Sequence, residues 1–476
     1  MNLWRWVAVL LFGYVLARPV SANSILVPVL AGMGALAVGA ILLARRRIVA
    51  PLVPAALTTF IFAVIGLSVN PTNPGFVGAL LVFVAAPLLY WLIVAAVDER
   101  MLRMAFSAAA VVTVFVGSTI AIYVAQETGS LPAILPSWLL EQYGAGFGEG
   151  DYTEVRFYGL STLVATGPMW IASLLVARDS LLPPWWLRAV AAVAATTGTL
   201  AAGRRALAVV LVLAPVLAWL LTFLLTPRGM PRMRPERTRV LVLGGSAVLV
   251  AAFAPGSPFG GVLGSAWGSV LSYVTGRPVA GSASSDDLLR TLQADKLLDA
   301  WAESPVFGHG FGATIQGFWR SQEEPWRWEL QYHALLFQTG IVGALLIVLG
   351  ALLTLNAVLR AARARPDLVP SLVVACMAAT GMLIANASNP YLQAPGYVWA
   401  IFLPVAVANV MLSSGGGKHP GPAPQRRLRG PWPPADHPAP DGPASQGPPE
   451  EDLVAVRAPD RPAEPMTQKI PRRTPS

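Results

Sequence analysis

The stretch WRWELQYHALLFQTGIVGALL, residues 326–346, joins a polar and aromatic segment to a long apolar run. Similar runs recur along the chain, and each has about the 20 residues that an α-helix needs to cross a bilayer. Of the 476 residues, 55% are hydrophobic and only 12% are charged, whereas soluble domains have about 25% charged residues. The runs lack the period of two that a membrane β-barrel requires. The sequence therefore predicts an all-α membrane protein with many spans.

Twelve apolar runs qualify as predicted transmembrane helices. They cover residues 4–22, 24–44, 48–69, 75–97, 104–125, 157–177, 185–203, 205–226, 239–255, 333–358, 368–388 and 395–413. The first run could also be a signal peptide with a small-residue cleavage site. However, Arg18 interrupts its end and only Arg5 marks its start, which favours an uncleaved first span.

Arginine clusters follow every second span, for example at 45–47 and 360–365. Because Lys and Arg concentrate in cytoplasmic loops, we predict that this side and both termini are cytoplasmic. The protein is then expected in the plasma membrane, in contact with the lipid bilayer. The same distribution explains the formal net charge of +9 without nucleic-acid binding.

The large loop at 256–332 is the main extracytoplasmic element, and loops of this length usually carry function. Within it, SSDDLLRTLQADKLLDAWAES (284–304) has an amphipathic pattern that predicts a helix on the membrane surface. The chain from 415 to 476 is rich in Pro and Gly and poor in large apolar residues, which predicts a disordered cytoplasmic tail. The predicted domains are therefore a transmembrane domain, 1–414, and this tail.

Residue types typical of metal and nucleotide sites are sparse. Cys376 is the single cysteine, which excludes an intrachain disulfide, and the four histidines lack metal-ligand spacing. Gly308, Gly310 and Gly312 imitate part of a dinucleotide fingerprint, but no βαβ pattern surrounds them. They predict a tight backbone bend instead, and we expect neither a metal nor a cofactor.

Four arginines lie on the predicted outer face, where the positive-inside rule does not place them. A guanidinium there could bind the oxygens of a phosphate in two-point fashion. Each could instead be a solvated turn residue or could pair with a nearby carboxylate, as Arg290 with Asp286. A different span count would also place Arg204 and Arg205 on the cytoplasmic side. The candidates for an anion site are Arg156, which opens the sixth span, Arg204, Arg205 and Arg290.

Four stretches in this order resemble the O-antigen ligase and O-antigen polymerase superfamily. They are RFYGL (156–160), GRRALAV (203–209), RTLQADKLLDAWAESPVFGHGFG (290–312) and ELQYHALLFQTGIVG (329–343). The resemblance implies a membrane glycosyltransferase that takes glycan from a polyprenyl-diphosphate carrier on the outer face. It also implies no nucleotide and no obligatory metal.

This sequence departs from the family pattern at one important position. The family usually has a histidine eleven residues before the first Gly of Gly-Ile-Val-Gly, and Glu329 stands there in this chain. His333 follows four residues later, which predicts the same helical face as Glu329. The hypothesis that follows is that Arg204 binds the diphosphate, while Glu329 or His333 orients or deprotonates the acceptor hydroxyl. Arg156, Arg205 and Arg290 would assist Arg204.

Other functions are compatible with parts of this pattern. Twelve spans with both ends inside also suit a transporter or a flippase of lipid-linked glycans, but such proteins place charged residues within their spans. A scaffold would explain the Pro-rich tail but not the outer arginines. The glycan is not specified, and polymerase and ligase share these residues, so the acceptor stays open between a glycan, a lipid and a protein.

Overall fold

The structure is a computed structural model that describes residues 3–19, 23–148, 154–202, 205–227, 285–319, 322–387 and 389–415. The helices of the first part are α1 (Leu3–Ala17), α2 (Asn23–Ala44), α3 (Val53–Ser68), α4 (Phe76–Leu80), α5 (Ala86–Ala96), α6 (Glu99–Glu127) and α7 (Ser137–Gln142). A short antiparallel hairpin, β1 (Gly146–Gly148) and β2 (Glu154–Arg156), leads into α8 (Leu160–Leu175). The remaining helices are α9 (Trp185–Ala201), α10 (Arg205–Leu225), α11 (Ser285–Glu303), α12 (Gln331–Ala364), α13 (Val369–Ala385) and α14 (Trp399–Gly415).

The described part of the chain contains eight helical segments that are long and apolar enough to cross a membrane. This confirms a helical membrane protein with several spans. The predicted spans, apart from 239–255, coincide with described helices, but α1 and α8 have only 15 and 16 residues. The structure thus does not confirm the count of twelve. The segment 239–255, most of the loop before residue 285 and the tail beyond 415 lie outside the described residues.

Polar contacts on one face of the bundle join several of the arginine-rich connections. Arg46, which follows α2, pairs with Asp98 at 2.6 Å between Nη2 and Oδ2. The carboxylate of Asp179 accepts a hydrogen bond from the backbone N–H of Ser371 at 2.7 Å. The first contact joins the connections after α2 and α5, and the second joins the connection after α8 to the first turn of α13. Arg103 Nε, near the start of α6, donates to the carbonyl of Ser180 at 2.6 Å and links the two groups. This grouping agrees with the charge pattern. The assignment of this face to the cytoplasm stays a prediction.

The connections predicted for the opposite face also contact one another. The backbone N–H of Gly75 donates to the carbonyl of Gly312 at 3.1 Å, which joins the α3–α4 connection to the large loop. Gln393 Nε2 donates to the carbonyl of Trp328 at 2.8 Å, which joins the large loop to the α13–α14 connection. Three connections therefore meet at this face, which we call the loop face.

The predicted surface helix is present as α11 and packs on α12. Leu297 of α11 is fully buried, whereas Leu288, Leu289 and Leu292 are exposed. The predicted apolar face is therefore divided between a protein contact and an outward-facing leucine patch. Such a patch suits a helix at a membrane surface.

Candidate functional site

Helix α12 is broken at Gly340, inside the stretch that opens the sequence analysis. Gly340 has φ 61° and ψ −166°, outside the helical region. The break frees the carbonyls of Phe337 and Gln338 from the helix. They accept hydrogen bonds from the backbone N–H groups of His309 and Gly310, at 2.9 Å each.

The same loop also bonds to the backbone of the residues that follow the break. The N–H groups of Ile341 and Val342 donate to the carbonyls of Pro305 and Val306, at 2.9 and 3.1 Å. A break inside a spanning helix normally leaves costly unpaired backbone groups. Here the loop at 304–313, which we call the plug loop, satisfies four of them, and so it locks the large loop to α12.

The glycines of the plug loop form the tight bend that the sequence predicts. Gly308, Gly310 and Gly312 have φ values of 70°, 89° and 70°, which L-residues rarely adopt. A Cβ on Gly312 would also collide with the backbone of Gly75. The predicted tight bend is therefore confirmed, and its glycines allow close packing of the loop.

His309 has a structural environment in this loop. Its Nε2 lies 2.7 Å from the carbonyl of Ala300, and its ring stacks on Phe337 with 4.9 Å between ring centroids. Among the described residues, no group of three or more His, Cys, Asp or Glu side chains could hold a metal ion.

Two of the predicted site residues form an ion pair. Arg290 Nε lies 3.0 Å from Glu329 Oε2, with the side chains 30% and 23% exposed. Arg290 lies on α11 and Glu329 lies just before α12, 39 residues further along the chain. The pair therefore forms where the large loop meets the membrane helix. Because both side chains remain partly exposed to solvent, the ion pair is not expected to contribute strongly to the stability of the fold.

The geometry of Glu329 and His333 differs from the sequence prediction. Helix α12 begins at Gln331, so Glu329 precedes the helix and cannot share a helical face with His333. His333 lies in the first turn of α12 and is half-buried. The residues are close in sequence, and Glu329 is the one that pairs with Arg290, a predicted arginine whose side chain the structure describes.

Arg156 also has a different environment from the one predicted. It is the last residue of β2, and α8 begins only at Leu160, so Arg156 does not occupy the helix N-terminus. Its side chain is exposed. The adjacent Val155 donates its backbone N–H to the carbonyl of Ala202 at 3.4 Å. The strand that carries Arg156 is thus bonded to the segment just before Arg204.

The other two arginines are described only in part. Arg204 lies outside the described residues, and Arg205 is the first residue of α10, with its side chain outside them. Sequence analysis overlooked a further cation on this face. The guanidinium of Arg18 lies 5.8 Å from the ring centroid of Tyr143, which stacks on Phe157 at 4.8 Å.

Sequence analysis also did not predict a cavity of about 540 Å³ at the loop face. Its polar lining comes from Gln331 and Gln338 of α12, from Gln393, and from Glu324 and Arg327. Its apolar lining comes from α2 and from the helix region 76–96. The described lining includes none of the predicted site residues. The available sequence signal was the pair of glutamines seven residues apart at the start of the apolar run.

The helix that forms one wall of this cavity is irregular. Between α4 and α5, residues Leu81–Ala85 form a π-helical turn, and four of these five residues line the cavity. An inserted π turn shifts side chains around the helix axis and is frequent at functional sites. The wall opposite α12 is therefore shaped by a local departure from α-helical geometry.

Neither a protein-family model nor a curated protein matches this chain.

Proposed function

We propose that this protein is a membrane glycosyltransferase that moves glycan from a polyprenyl-diphosphate carrier to an acceptor hydroxyl at the extracytoplasmic face. The supporting observation is that the third and fourth stretches of the resemblance contact each other, and that the residues just before the first and second stretches are hydrogen-bonded. Arg290 contacts Glu329, and the strand of Arg156 is bonded to the segment before Arg204.

The proposed reaction divides leaving-group stabilisation and proton removal between the arginines and the candidate bases. The acceptor oxygen attacks the sugar C1, the bond from C1 to the diphosphate oxygen breaks, and the electron pair leaves with the polyprenyl diphosphate. Arg204, with Arg156, Arg205 and Arg290, stabilises the negative charge that grows on this leaving group. Glu329 or His333 takes the hydroxyl proton. Arg290 orients the Glu329 carboxylate through the ion pair.

The first test is Arg204→Ala, assayed for transfer of polyprenyl-linked glycan by the purified protein in detergent. We expect loss of transfer by about 100-fold or more, because the leaving group loses a charged donor. Arg100→Ala, an exposed arginine on the arginine-rich face, is the matched control and should retain activity. Full activity of Arg204→Ala would exclude the diphosphate role. In detergent no compartments exist, so a flippase would form no transfer product.

The second test separates the two candidate bases. Glu329→Gln and His333→Gln are compared in the same assay, and removal of the base should lower kcat by about 10²–10⁴-fold. We expect the larger loss for Glu329→Gln, since its carboxylate is held by Arg290. If both variants turn over at the rate of the unaltered protein, neither residue is the base.

A further inference from the structure

The lining of the cavity at the loop face has an apolar part and a polar part. The apolar part includes Leu26 and Leu30 on α2, and Val82 and Leu89 in the helix region 76–96. The polar part includes the amide side chains of three glutamines. Its volume of about 540 Å³ lies within the about 300–1,000 Å³ that small-ligand pockets have.

Two glutamines of α12 belong to the polar part of the lining. Gln331 and Gln338 are seven residues apart, so they lie two turns apart on one helical face, with Ala334 between them. Both line the cavity, and they are only 1% and 6% exposed. The Oε1 atom of each has no hydrogen-bond partner among the described residues. Buried carbonyl oxygens without partners are rare, and their natural complement is a ligand that donates hydrogen bonds.

The charges around the cavity argue for an uncharged ligand. Among its described lining residues, the ionic side chains are Arg327 and Glu324, and they pair at 2.6 Å between Nη1 and Oε2. The third amide, Gln393, already donates to the carbonyl of Trp328. A phosphate in this cavity would thus meet carbonyl oxygens and a neutralised arginine. A hydroxyl group, in contrast, can donate to either glutamine.

We infer that this cavity is a binding site for a neutral amphiphile, a hydroxyl-rich headgroup joined to one hydrocarbon chain. The hydroxyls donate to Oε1 of Gln331 and Gln338, and the chain lies among the leucines of α2 and the π-helical wall. The site is separate from the arginines assigned to the diphosphate, and it stands whether or not the chain is a glycosyltransferase. A sugar and a glycerol headgroup share this chemistry.

The test measures binding of three single-chain probes with the same chain length to the full protein in amphipol. The probes are dodecyl maltoside, monolaurin and dodecyl phosphate, each below its micelle concentration. We expect at least one neutral probe to bind about tenfold or more tightly than dodecyl phosphate. Preference for maltoside identifies a sugar headgroup, and equal binding of monolaurin identifies a general polyol site. Dodecyl phosphate binding as tightly as both neutral probes overturns the assignment.

The variants connect this binding to the glutamines. Gln331→Leu combined with Gln338→Leu should weaken neutral-probe binding about tenfold, the loss expected for two neutral hydrogen bonds. Gln293→Leu is the matched control. Gln293 is also 1% exposed, and among the described residues its amide atoms have no hydrogen-bond partner and it does not line the cavity. Unchanged binding in the double variant overturns the proposal.

A second variant covers the case in which the double variant fails to fold. Ala31 lines the cavity and is exposed on α2, so Ala31→Trp places a bulky side chain in the cavity without disturbing the core. It should abolish binding of the neutral probe while the protein keeps its melting temperature. Binding at the affinity of the unaltered protein would place the ligand elsewhere and overturn the assignment.

Discussion

At the scale of single residues, two carboxylates on the arginine-rich face have pKa values shifted in opposite directions. Burial acts to raise the pKa of Asp98, but the N–H of Met101 and the guanidinium groups of Arg46 and Arg5 outweigh it, so that pKa is lowered. Burial raises the pKa of Asp179, and hydrogen bonds from residues such as Ser371 offset only part of the effect. The folded protein therefore stabilises the charged form of Asp98 and destabilises the charged form of Asp179.

The opposite shifts predict opposite effects of pH on stability. Because the pKa of Asp98 is lowered, its stabilisation is complete above the unfolded value of 3.8 and is lost as pH falls through the folded value. The melting temperature of Asp98→Asn should thus lie furthest below that of the unaltered protein at pH 7, and the difference should shrink near pH 3. Scanning fluorimetry in detergent measures it.

Asp179→Asn is the matched comparison with the reverse sign. Because the pKa of Asp179 is raised, the folded state favours its protonated form. The stability that this protonated carboxyl contributes is fully present below the unfolded value of 3.8 and is lost as pH rises through the folded value. Relative to the unaltered protein, Asp179→Asn should therefore be more stable at pH 7 than at pH 4. Parallel pH profiles for the two variants would contradict the assigned environments.

At the scale of elements, the plug loop and the break in α12 are mutually dependent. The N–H groups that the loop presents at 309 and 310 would be unpaired without the broken helix, and the carbonyls at 337 and 338 would be unpaired without the loop. Neither element is stable in its observed form alone. The break at Gly340 is therefore a docking point for the large loop.

A pair of glycine substitutions tests this docking. Gly308 and Gly317 have nearly equal φ values, 70° and 72°, so alanine has a similar backbone cost at both, about 1–2 kcal/mol. A Cβ on Gly308 would lie 2.5 Å from the carbonyl carbon of Gln338, whereas no atom of the described residues lies within 4 Å of one on Gly317. Gly308→Ala should thus lose about 1–3 kcal/mol more than Gly317→Ala in unfolding experiments. Equal losses would show that the contact with α12 is unimportant.

At the scale of the whole molecule, polar contacts separate the connections into two faces, and the lysine and arginine count predicts which one is cytoplasmic. Thr72 is exposed on the loop face and Arg100 is exposed on the arginine-rich face. The expected orientation places the cavity mouth and the Arg290–Glu329 pair outside the cytoplasm, where a lipid-linked glycan would be used.

Cysteine labelling in whole cells tests this orientation. In a background with Cys376→Ala, an impermeant maleimide should label Thr72→Cys in intact cells and Arg100→Cys only after permeabilisation. The two positions serve as controls for each other, because both side chains are exposed. Labelling of Arg100→Cys in intact cells, without labelling of Thr72→Cys, would reverse the orientation and move the proposed site to the cytoplasmic face.

Part of the candidate site could be predicted from sequence because each stretch carries its own pattern. The plug-loop glycines and the helix at α11 follow from local backbone and periodicity rules. The partner of Arg290 could not be chosen that way, since Asp286 and Glu329 are both plausible carboxylates. The prediction that Glu329 shares a helical face with His333 was also wrong, because a small error in the position of a helix start changes which residues share a face.

By itself the sequence determined the class of protein, the grouping of its connections and the apolar runs that become helices. These properties depend on local composition and on the length needed to cross a bilayer. Only the tertiary structure decided that α12 breaks at Gly340, that Arg290 pairs with Glu329, and that two glutamines face an amphiphilic cavity. Each of these depends on backbone groups or side chains that lie far apart in the chain, so no local pattern encodes them.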